Sequence, residues 1–390
     1  MIKVVVPVEE LLGWGGGVDF LKFYLAILNQ LEDITTIVAI PYDQYDQKVV
    51  RKIKDCVKSL IGYSIAKRYD YGTFWINYPN IQIQKYRRGS TPTCLREADV
   101  VFLNMTPIKG VQRSKIIGYI PDLQHIHLPR FFTEEEKCCR NRQFIEMMEK
   151  CGTIFVNSWH TQKDFKECYP IQSGKCNFFS MKFLPVANDF SVLRANIEKY
   201  KLPKRYFMFS NQLWVHKDFP TALRAMALLL RDERYKDVEL ICSGGTYDYR
   251  NPNYFDEIEL LIQELNIQRN IRFLGFIAKN EQLAILRNCI SVIQPTLFEG
   301  GPGGGATYDA VAYGASAIIS DIEINLEIKN ERVCFFQAGN AEDLYKKMKE
   351  RLLNPLEPLS IAVLEKQQEI NNRQACLDIH TLIVDVANKH

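Results

Sequence analysis

The stretch Phe298–Ala310, FEGGPGGGATYDA, places five glycines, a proline and two carboxylates between an apolar strand-like run and a helix-like run. A plain turn needs only one or two glycines, so this density indicates a loop whose backbone approaches a ligand closely. The start of the following helix adds the positive end of its dipole. The stretch therefore predicts a backbone cradle for a phosphorylated ligand, with an acid near each end to bind hydroxyl groups.

The same order of strand, glycine loop and helix opens the chain. A β-branched run from Ile2 to Pro7 is followed by Gly13-Trp14-Gly15-Gly16-Gly17 and by FLKFYLAILNQL, whose apolar residues recur at helical spacing. The pattern restarts near Tyr206, where YFMFS precedes a loop and the helical run TALRAMALLL. Such alternation predicts an α/β fold of two Rossmann-like, doubly wound domains in tandem, each with a parallel sheet.

The two predicted domains cover residues 1–190 and 191–373, and residues 374–390 form an amphipathic C-terminal segment. Ligands of such sheets bind beyond the carboxyl ends of the strands. The two glycine loops are therefore expected at binding edges, with a cleft between the domains if these edges face each other.

Composition narrows the class of protein. The 390 residues are 47% hydrophobic and 24% charged, and no run approaches the roughly 18 apolar residues that span a bilayer. The first ten residues end in two glutamates, which is unlike a signal peptide. We therefore expect a cytoplasmic protein. Its eleven cysteines are scattered, and the adjacent pair Cys138-Cys139 lacks the spacing of a zinc site, so reduced thiols and no metal are predicted.

Positive charge is concentrated in one segment. Residues 51–115 hold 13 Lys/Arg and 4 Asp/Glu, whereas the whole chain has a net charge of +3. Peripheral contact with anionic lipid at the inner face of the cell membrane is one interpretation. A solvated basic face is the other. No nucleic-acid partner is expected.

Two common nucleotide-binding loops are disfavoured. Val18 stands where a dinucleotide-binding loop would have its third glycine, and no acid follows at the expected distance, which argues against a nicotinamide cofactor. Residues 13–17 therefore form either a tight turn or a ligand contact. No P-loop lysine follows residues 300–305, which argues against a nucleoside triphosphatase.

Two further segments carry candidate site residues. Lys217 follows the strand YFMFS and is placed to meet a phosphate as a point charge, although an exposed lysine in a first helical turn is the alternative. Asp122, His125 and His127 cluster after another strand. The two histidines alternate as in an extended segment and would point opposite ways, which disfavours a shared metal ion. One packed and one solvated histidine remains the competing interpretation.

The C-terminal half resembles the retaining family-four nucleotide-sugar glycosyltransferases, which have two facing Rossmann-like domains in the GT-B fold. The resemblance rests on NIRFLGFIAKNEQLAILRNCISVIQPTLFEG at 270–300 and YDAVAYGASAIISDI at 308–322. The N-terminal half agrees less strongly. Its matches are the glycine loop, Asp122-Leu123 with Pro129, and Asn157-Ser158 with Thr161 and Asp164.

The resemblance implies transfer of a sugar, with retention, from a nucleotide-diphosphate sugar to a hydroxyl of a saccharide or lipid-linked saccharide. The implied setting is bacterial surface polysaccharide or glycoconjugate assembly, without metal or other cofactor, and with the 374–390 segment crossing back onto the N-terminal domain. By this resemblance Glu299 would hold the donor sugar and Asp309 the ribose. The implied catalytic residues are Glu299, Lys217, Asp122 and His125, and the implied donor-binding residues are Gly16, Gly17, Asn211, Gln212, Lys217, Gly300, Gly301, Gly303, Gly304, Gly305, Thr307 and Asp309.

Three positions depart from the family pattern. Nine residues separate Glu299 from Asp309, where the family has seven between two glutamates. Gln212 replaces an arginine, so His216 or another cation would have to compensate, and Pro121 replaces a histidine whose role His125 would take over. The last two departures keep a non-catalytic nucleotide-sugar-binding protein open as an alternative. A GT-B-fold nucleotide-sugar epimerase, which would share the architecture, is the other.

Overall fold

The computed structural model describes residues 1–13, 15–45, 78–187 and 189–389, and these residues form two parallel α/β units. The first contains a seven-stranded sheet in the order β3-β2-β1-β4-β5-β6-β7, and the second a six-stranded sheet in the order β10-β9-β8-β11-β12-β13. Every strand pair is parallel. The predicted α/β fold of two doubly wound domains is confirmed.

The strands of the first sheet are Ile2–Pro7 (β1), Ile34–Pro41 (β2), Ile81–Tyr86 (β3), Val100–Asn104 (β4), Ile116–Tyr119 (β5), Thr153–Val156 (β6) and Asn177–Ser180 (β7). Those of the second are Tyr206–Ser210 (β8), Glu239–Ser243 (β9), Ile271–Gly275 (β10), Val292–Gln294 (β11), Ala317–Ser320 (β12) and Val333–Phe336 (β13). The sequence patterns did not predict β3, β7 or β13. These three strands lie at sheet edges or carry polar residues, which weakens the apolar signal.

The α-helices of the described residues are Gly15–Leu28 (α1), Tyr42–Tyr45 (α2), Thr93–Arg96 (α3), Gln124–His127 (α4), Glu134–Lys150 (α5), Trp159–Cys168 (α6), Pro170–Ser173 (α7), Phe219–Leu229 (α8), Tyr254–Glu264 (α9), Lys279–Arg287 (α10), Gly304–Ala312 (α11), Ala341–Leu353 (α12) and Ile361–Ala387 (α13). Short 3₁₀ turns cover Leu11–Gly13, Arg113–Lys115, Pro129–Phe131, Phe190–Arg194, Glu198–Tyr200, Val215–Lys217, Glu233–Tyr235, Gln268–Asn270 and Glu323–Glu327.

Both faces of each central strand are buried. Val4 and Val6 of β1 belong to the core on one face of the first sheet, and Val5 belongs to the core on the opposite face. In β8, Phe207 and Phe209 pack on one side and Met208 on the other. Because side chains alternate along a strand, a strand covered by helices on both faces must be apolar throughout. This is why VVV and YFMF were recognisable as central strands.

Both glycine loops are shorter than predicted, because a helix begins inside each of them. Helix α1 begins at Gly15 and α11 at Gly304, so Gly16, Gly17 and Gly305 lie in first helical turns. The first N–H groups of a helix have no partner within the helix, and glycine leaves them open to an approaching group. Trp14 lies outside the described residues.

The segment around His125 is helical and not extended, which corrects the prediction for it. Helix α4 is a single turn, and the Asp122 carboxylate accepts the Gln124 N–H at 3.0 Å where that turn begins. An aspartate bonded to the backbone two residues on favours such a turn. His125 and His127 still take different partners, because residues two apart on a helix lie on different faces.

The basic segment at 51–115 falls partly outside the described residues, which begin again at position 78. Within 78–115, some cations have internal acceptors. Arg113 donates to the carbonyls of Cys151 and Met148, and Lys115 donates to that of Ala98. No helix in the described ranges has the length and apolar character of a membrane span. Membrane contact stays a prediction.

The last helix joins the two units. Helix α13 begins at Ile361, where Ser360 caps it by accepting the Val363 N–H, and runs through Ala387. Its residues Ala375, Ile379, Ile383 and Val386 are buried in the core formed with β1 and β4 of the first sheet. The helix therefore belongs to the N-terminal core, although it follows the second sheet in the chain.

We expect Ile379→Ala to destabilise the N-terminal unit by about 2–5 kcal/mol, because Ile379 is fully buried and its truncation leaves a cavity. Leu377→Ala on the same helix is the matched control, since Leu377 is 59% exposed and should change stability by less than about 0.5 kcal/mol. Urea unfolding followed by circular dichroism measures both. Equal effects of the two substitutions would contradict the packing of α13.

Candidate functional site

The candidate site lies where the strand order of the second sheet reverses. Strands β9 and β11 flank β8, so the chain leaves β8 toward one side of the sheet and returns at β11 on the other. Ligands of doubly wound sheets bind in the crevice at this point. Asn211 follows β8, and its amide donates to the Gln294 side chain at the end of β11. The two loops that carry the predicted donor residues therefore begin side by side.

Lys217 and Glu299 form a buried ion pair at the centre of this crevice. The Lys217 Nζ lies 2.5 Å from Glu299 Oε1, which also accepts a hydrogen bond of 2.9 Å from the Gln294 amide. The two side chains are 11% and 9% exposed. Lys217 ends the turn Val215–Lys217 and is buried, so the alternative of an exposed lysine in a first helical turn is wrong.

The glycines of residues 300–305 do different work. A Cβ atom on Gly300 would lie 2.5 Å from the Pro121 carbonyl oxygen, and one on Gly301 would lie 3.1 Å from the Asn157 Cβ atom. Both neighbours belong to the N-terminal unit. In addition, the Thr161 hydroxyl donates to the Gly300 carbonyl at 3.3 Å. Gly300 and Gly301 therefore allow the two domains to approach, a role that the sequence did not reveal.

Gly303 and Gly304 serve the shape of the loop itself. Gly303 has a φ of +71°, and its N–H donates to Asn325 Oδ1 at 2.7 Å. Gly304 has a φ of +61°, and a Cβ atom there would lie 2.8 Å from the Glu299 carboxyl carbon. Both N–H groups have acceptors within the protein, since that of Gly304 donates to the Gly301 carbonyl at 3.2 Å. The Thr307 hydroxyl is likewise bonded internally, to the Gly303 carbonyl at 2.6 Å.

Gly305 is the predicted glycine that faces open space. No atom lies within 4 Å of the position that its Cβ would occupy. Its N–H belongs to the first turn of α11 and has no acceptor among the described residues. Gly303, Gly304 and Gly305 were all predicted to bind the donor. Among them, Gly305 is the one whose N–H remains available at the start of the helix. The Glu299 carboxylate lies beside the same helix end, where negative charge is stabilised.

Asp309 lies one turn further along α11 and pairs with Lys279. The Lys279 Nζ is 2.6 Å from Asp309 Oδ2 and 3.8 Å from Asp19 Oδ2 of α1, across the cleft. Burial raises the pKa of the Asp309 carboxyl, and the Lys279 ammonium offsets part of that rise. The α1 start, with Gly16 and Gly17, thus lies on the N-terminal side of the same cleft.

Asp122 and His125 are held by the same arginine but lie in different surroundings. Arg140 donates to Asp122 Oδ1 at 2.5 Å and to His125 Nδ1 at 3.3 Å. His125 is buried, with its Nε2 atom 2.8 Å from Asn141, and burial lowers its pKa. Both ring nitrogens are bonded inside the N-terminal unit, whereas Asp122 reaches the glycine segment, its Cβ lying 3.0 Å from the Cβ position of Gly300.

Arg250 is a buried cation that sequence analysis missed. It donates to both carboxylate oxygens of Asp248, at 2.8 and 2.9 Å, and to His216 Nδ1 at 3.2 Å. Its remaining nitrogen donates to Gln124 Oε1 of the N-terminal unit at 3.2 Å. The Arg250 and Asp248 side chains are 6% and 0% exposed. The signal that could have revealed Arg250 was its position in the chain, because the segment TYDYR follows β9, which neighbours β8.

Arg250 also affects the protonation state and the tautomer of His216. Burial lowers the pKa of His216 well below its usual value, and the nearby Lys217 and Arg250 cations lower it further. The imidazole is therefore neutral, and because its Nδ1 accepts from Arg250, its proton lies on Nε2. His216 does not supply the positive charge that Gln212 lacks.

Comparison with known proteins relates the second unit to a known family. Residues 194–373 match the family Glycosyl transferases group 1. The alpha-1,3/1,6-mannosyltransferase ALG2 of Mus musculus is 26% identical over 148 residues, which cover 36% of this chain. The match spans 35% of that relative, about a third of its length.

Solved structures are similar to the whole chain in fold. Sucrose-phosphate synthase from Thermosynechococcus elongatus aligns with a TM-score of 0.60 and 14% identity, covering 100% of this chain and 97% of that one. Anabaena HepE, solved in complex with UDP and glucose, aligns with a TM-score of 0.61 and 12% identity, covering 100% and 99%. Residues 194–373 thus match the Glycosyl transferases group 1 family, and the two-domain fold is similar to that of these solved structures.

Proposed function

We propose that this protein is a retaining, metal-independent glycosyltransferase that moves a sugar from a nucleotide-diphosphate sugar to a hydroxyl of a saccharide or lipid-linked saccharide. The observation that carries the proposal is the buried Lys217–Glu299 pair beside the start of α11. A cation and a helix start converge there on a space that suits a diphosphate. The group 1 domain and the UDP and glucose named for HepE support this ligand class.

Lys217 would neutralise the charge that develops on the leaving diphosphate. Negative charge accumulates on the phosphate oxygens as the glycosidic bond breaks, and a preorganised cation in a water-poor site stabilises it strongly. The Lys217 ammonium is held by Glu299, whose Oε1 atom also accepts from the Gln294 amide, so the ammonium is already oriented. The Gly305 N–H adds a neutral donor from the other side. The proton of the acceptor hydroxyl passes to the leaving phosphate, so no side-chain base is required.

Glu299 and Asp309 would divide the donor between them. Glu299 lies at the Lys217 end of the crevice, where it would hold the transferred sugar, and Asp309 lies one helical turn away, where it would accept hydrogen bonds from the ribose. Lys279 keeps the Asp309 carboxylate in place. On the N-terminal side, Asp122 lies near the glycine segment and would contact the sugar or acceptor.

Arg250 would provide the second positive charge of the site. Gln212 leaves the crevice with one cation fewer, and the neutral His216 does not replace it. Arg250 lies against His216, next to Lys217 in the chain, and reaches Gln124 beside Asp122. We therefore assign Arg250 a positioning role between the diphosphate loop and the N-terminal sugar side.

Two alternatives share this geometry. A nucleotide-sugar epimerase would change the donor sugar without consuming an acceptor, and a binding protein would hold the nucleotide without turnover. A thermal-shift screen against uridine, guanosine and other nucleoside diphosphates identifies the donor class, because a ligand of the folded state raises the unfolding temperature. Product analysis with that donor separates the three functions. Assembly of bacterial surface polysaccharide or glycoconjugates is the setting we propose for transfer.

We expect Lys217→Ala and Glu299→Ala each to lower nucleoside-diphosphate release by about 10²-fold or more, because both remove preorganised transition-state contacts. The matched control is Lys236→Ala, a lysine whose 52% exposed side chain pairs with Glu233 on the surface. Glu299→Gln keeps the shape of the side chain and tests whether the loss is one of charge. The proposal is refuted if both alanine variants turn over at the rate of the unchanged protein.

Asp309→Ala should raise the KM for the donor by about tenfold, with a smaller change in kcat. The reason is that a lost hydrogen bond to a charged group costs about 1.5–3 kcal/mol, and the ribose is bound alike in the ground and transition states. Steady-state kinetics with varied donor measures this. Asp256→Ala is a control, since this carboxylate is exposed in the first turn of α9, outside the site. A fall confined to kcat would contradict the ribose assignment.

Arg250→Lys should retain more activity than Arg250→Met but fall short of the unchanged protein, because lysine keeps the charge and loses the forked contacts. Both substitutions remove the bidentate hydrogen bonding of the buried Asp248 carboxylate, so thermal unfolding must be recorded alongside the kinetics. A positioning role predicts that kcat falls more than the donor KM rises. Equal kinetics for the three forms would refute this role.

A further inference from the structure

Three side chains that neither the fold nor the proposed chemistry requires converge at the mouth of the cleft. His127 of α4 and His160 and Asp164 of α6 each direct one ligating atom to the same point, and these atoms lie within 4.8 Å of one another. His127 Nε2 is 2.7 Å from Asp164 Oδ2, and His160 Nε2 is 3.6 Å from the same oxygen. The Asp164 side chain is 9% exposed, so its carboxylate is not simply solvated.

These separations are close to those of a tetrahedral metal centre. Nitrogen and oxygen ligands lie about 2.0–2.2 Å from Zn²⁺, which places neighbouring ligand atoms roughly 3.3 Å apart. The observed 2.7 and 3.6 Å fall on either side of this value. To admit the ion, the Asp164 carboxylate would give up its hydrogen bond to His127, and the two imidazole nitrogens, which lie within 4.8 Å of each other, would turn toward the same point. Three protein ligands leave a fourth position for water.

Groups behind the ligands have the character of a second coordination shell. His160 Nδ1 lies 3.3 Å from Glu323 Oε2, and a histidine ligand typically donates its other ring N–H to a carboxylate. The backbone N–H of His160 also donates to Glu327 at 2.6 Å. Both glutamates belong to the C-terminal unit. His127 is positioned by the Phe298 ring, whose centroid is 5.4 Å away at an angle of 31°.

Charge and ligand type indicate which ion fits. Asp164, Glu323 and Glu327 surround the two imidazoles, and Lys163 is the cation near them, 3.9 Å from Glu323 and 61% exposed. Imidazole suits transition-metal ions, whereas Mg²⁺ and Ca²⁺ favour all-oxygen sites. Two histidines with one aspartate thus suit a transition-metal ion, and Zn²⁺, which binds both ligand types, is the ion we test. Local spacing did not reveal it, because His127 is separated from its partners by more than 30 residues.

We propose that His127, His160 and Asp164 bind one zinc ion that braces the cleft between the two domains. The three ligands come from the N-terminal unit, and the carboxylates that orient His160 come from the C-terminal unit, so bound zinc would strengthen their contact. The cluster adjoins the glycine segment through the Phe298 ring but shares no side chain with the Lys217–Glu299 pair, and it adds no step to the proposed sugar transfer. It does not rest on the protein being a glycosyltransferase.

The test is zinc binding by the purified full-length chain after removal of metal with a chelator. We expect one Zn²⁺ per chain by competition with a colorimetric indicator, and a higher unfolding temperature when zinc is added. His160→Ala and Asp164→Asn should each abolish this stoichiometric binding. Glu323→Gln should weaken it by about 10–100-fold, the range for outer-shell partners of metal ligands. Co²⁺ in place of zinc should give the visible absorption bands of tetrahedral coordination.

Two controls separate this site from other zinc-binding groups. His380→Ala removes a histidine that is bonded to Asp33 at 2.8 Å and lies outside the cluster, and it should leave binding unchanged. A variant with Cys138→Ser and Cys139→Ser removes the exposed adjacent thiols and should also retain the zinc. The proposal is overturned if the unchanged chain binds no zinc. It is equally overturned if His160→Ala retains the ion or if the serine variant loses it.

Discussion

The ion pair between Lys217 and Glu299 is the constraint on which the second domain's site depends. Moving both charges out of water costs several kcal/mol for each ion, and their contact and the Gln294 amide must offset this cost. An apolar pair would serve the fold at least as well. A buried ion pair at the strand-order switch is therefore better explained by ligand binding than by stability. It also ties the loop after β8 to the loop after β11.

Much of the fold was predictable because its central strands are covered on both faces. Such strands appear in the sequence as short, nearly unbroken apolar runs, and IKVVVP and YFMFS were recognised on this basis. Edge strands such as Asn177–Ser180 carry a weaker apolar signal, and this strand was missed. Helix starts were predicted late, because Gly15 and Gly304 have low helix propensity but are tolerated in a first turn.

The sequence predicted only those site residues whose own segment of the chain carries a recognisable signal. Lys217, Glu299 and Asp309 stand near strand ends, and their positions were evident from the order of the elements. Arg250 also follows a strand, but its role was not evident, because its contacts with His216 and Gln124 join residues that are 34 and 126 positions apart. Pairings of this kind depend on how the two sheets face each other. No local pattern in a single sequence encodes that information.

The different roles of the glycines link the predicted donor-binding loop to the domain interface. Gly300 and Gly301 touch the N-terminal unit, whereas Gly304 touches the carboxylate that holds Lys217. These residues lie within one short loop, so a displacement at one end is felt at the other. A ligand that drew Lys217 away from Glu299 would alter the packing of Glu299 against Gly304. It would thereby also alter the hydrogen bond from the Thr161 hydroxyl to the Gly300 carbonyl. If the proposed donor binds here, its binding would be coupled to domain contact through the backbone of this single segment, and the glycines at the two ends of the segment would serve these two roles.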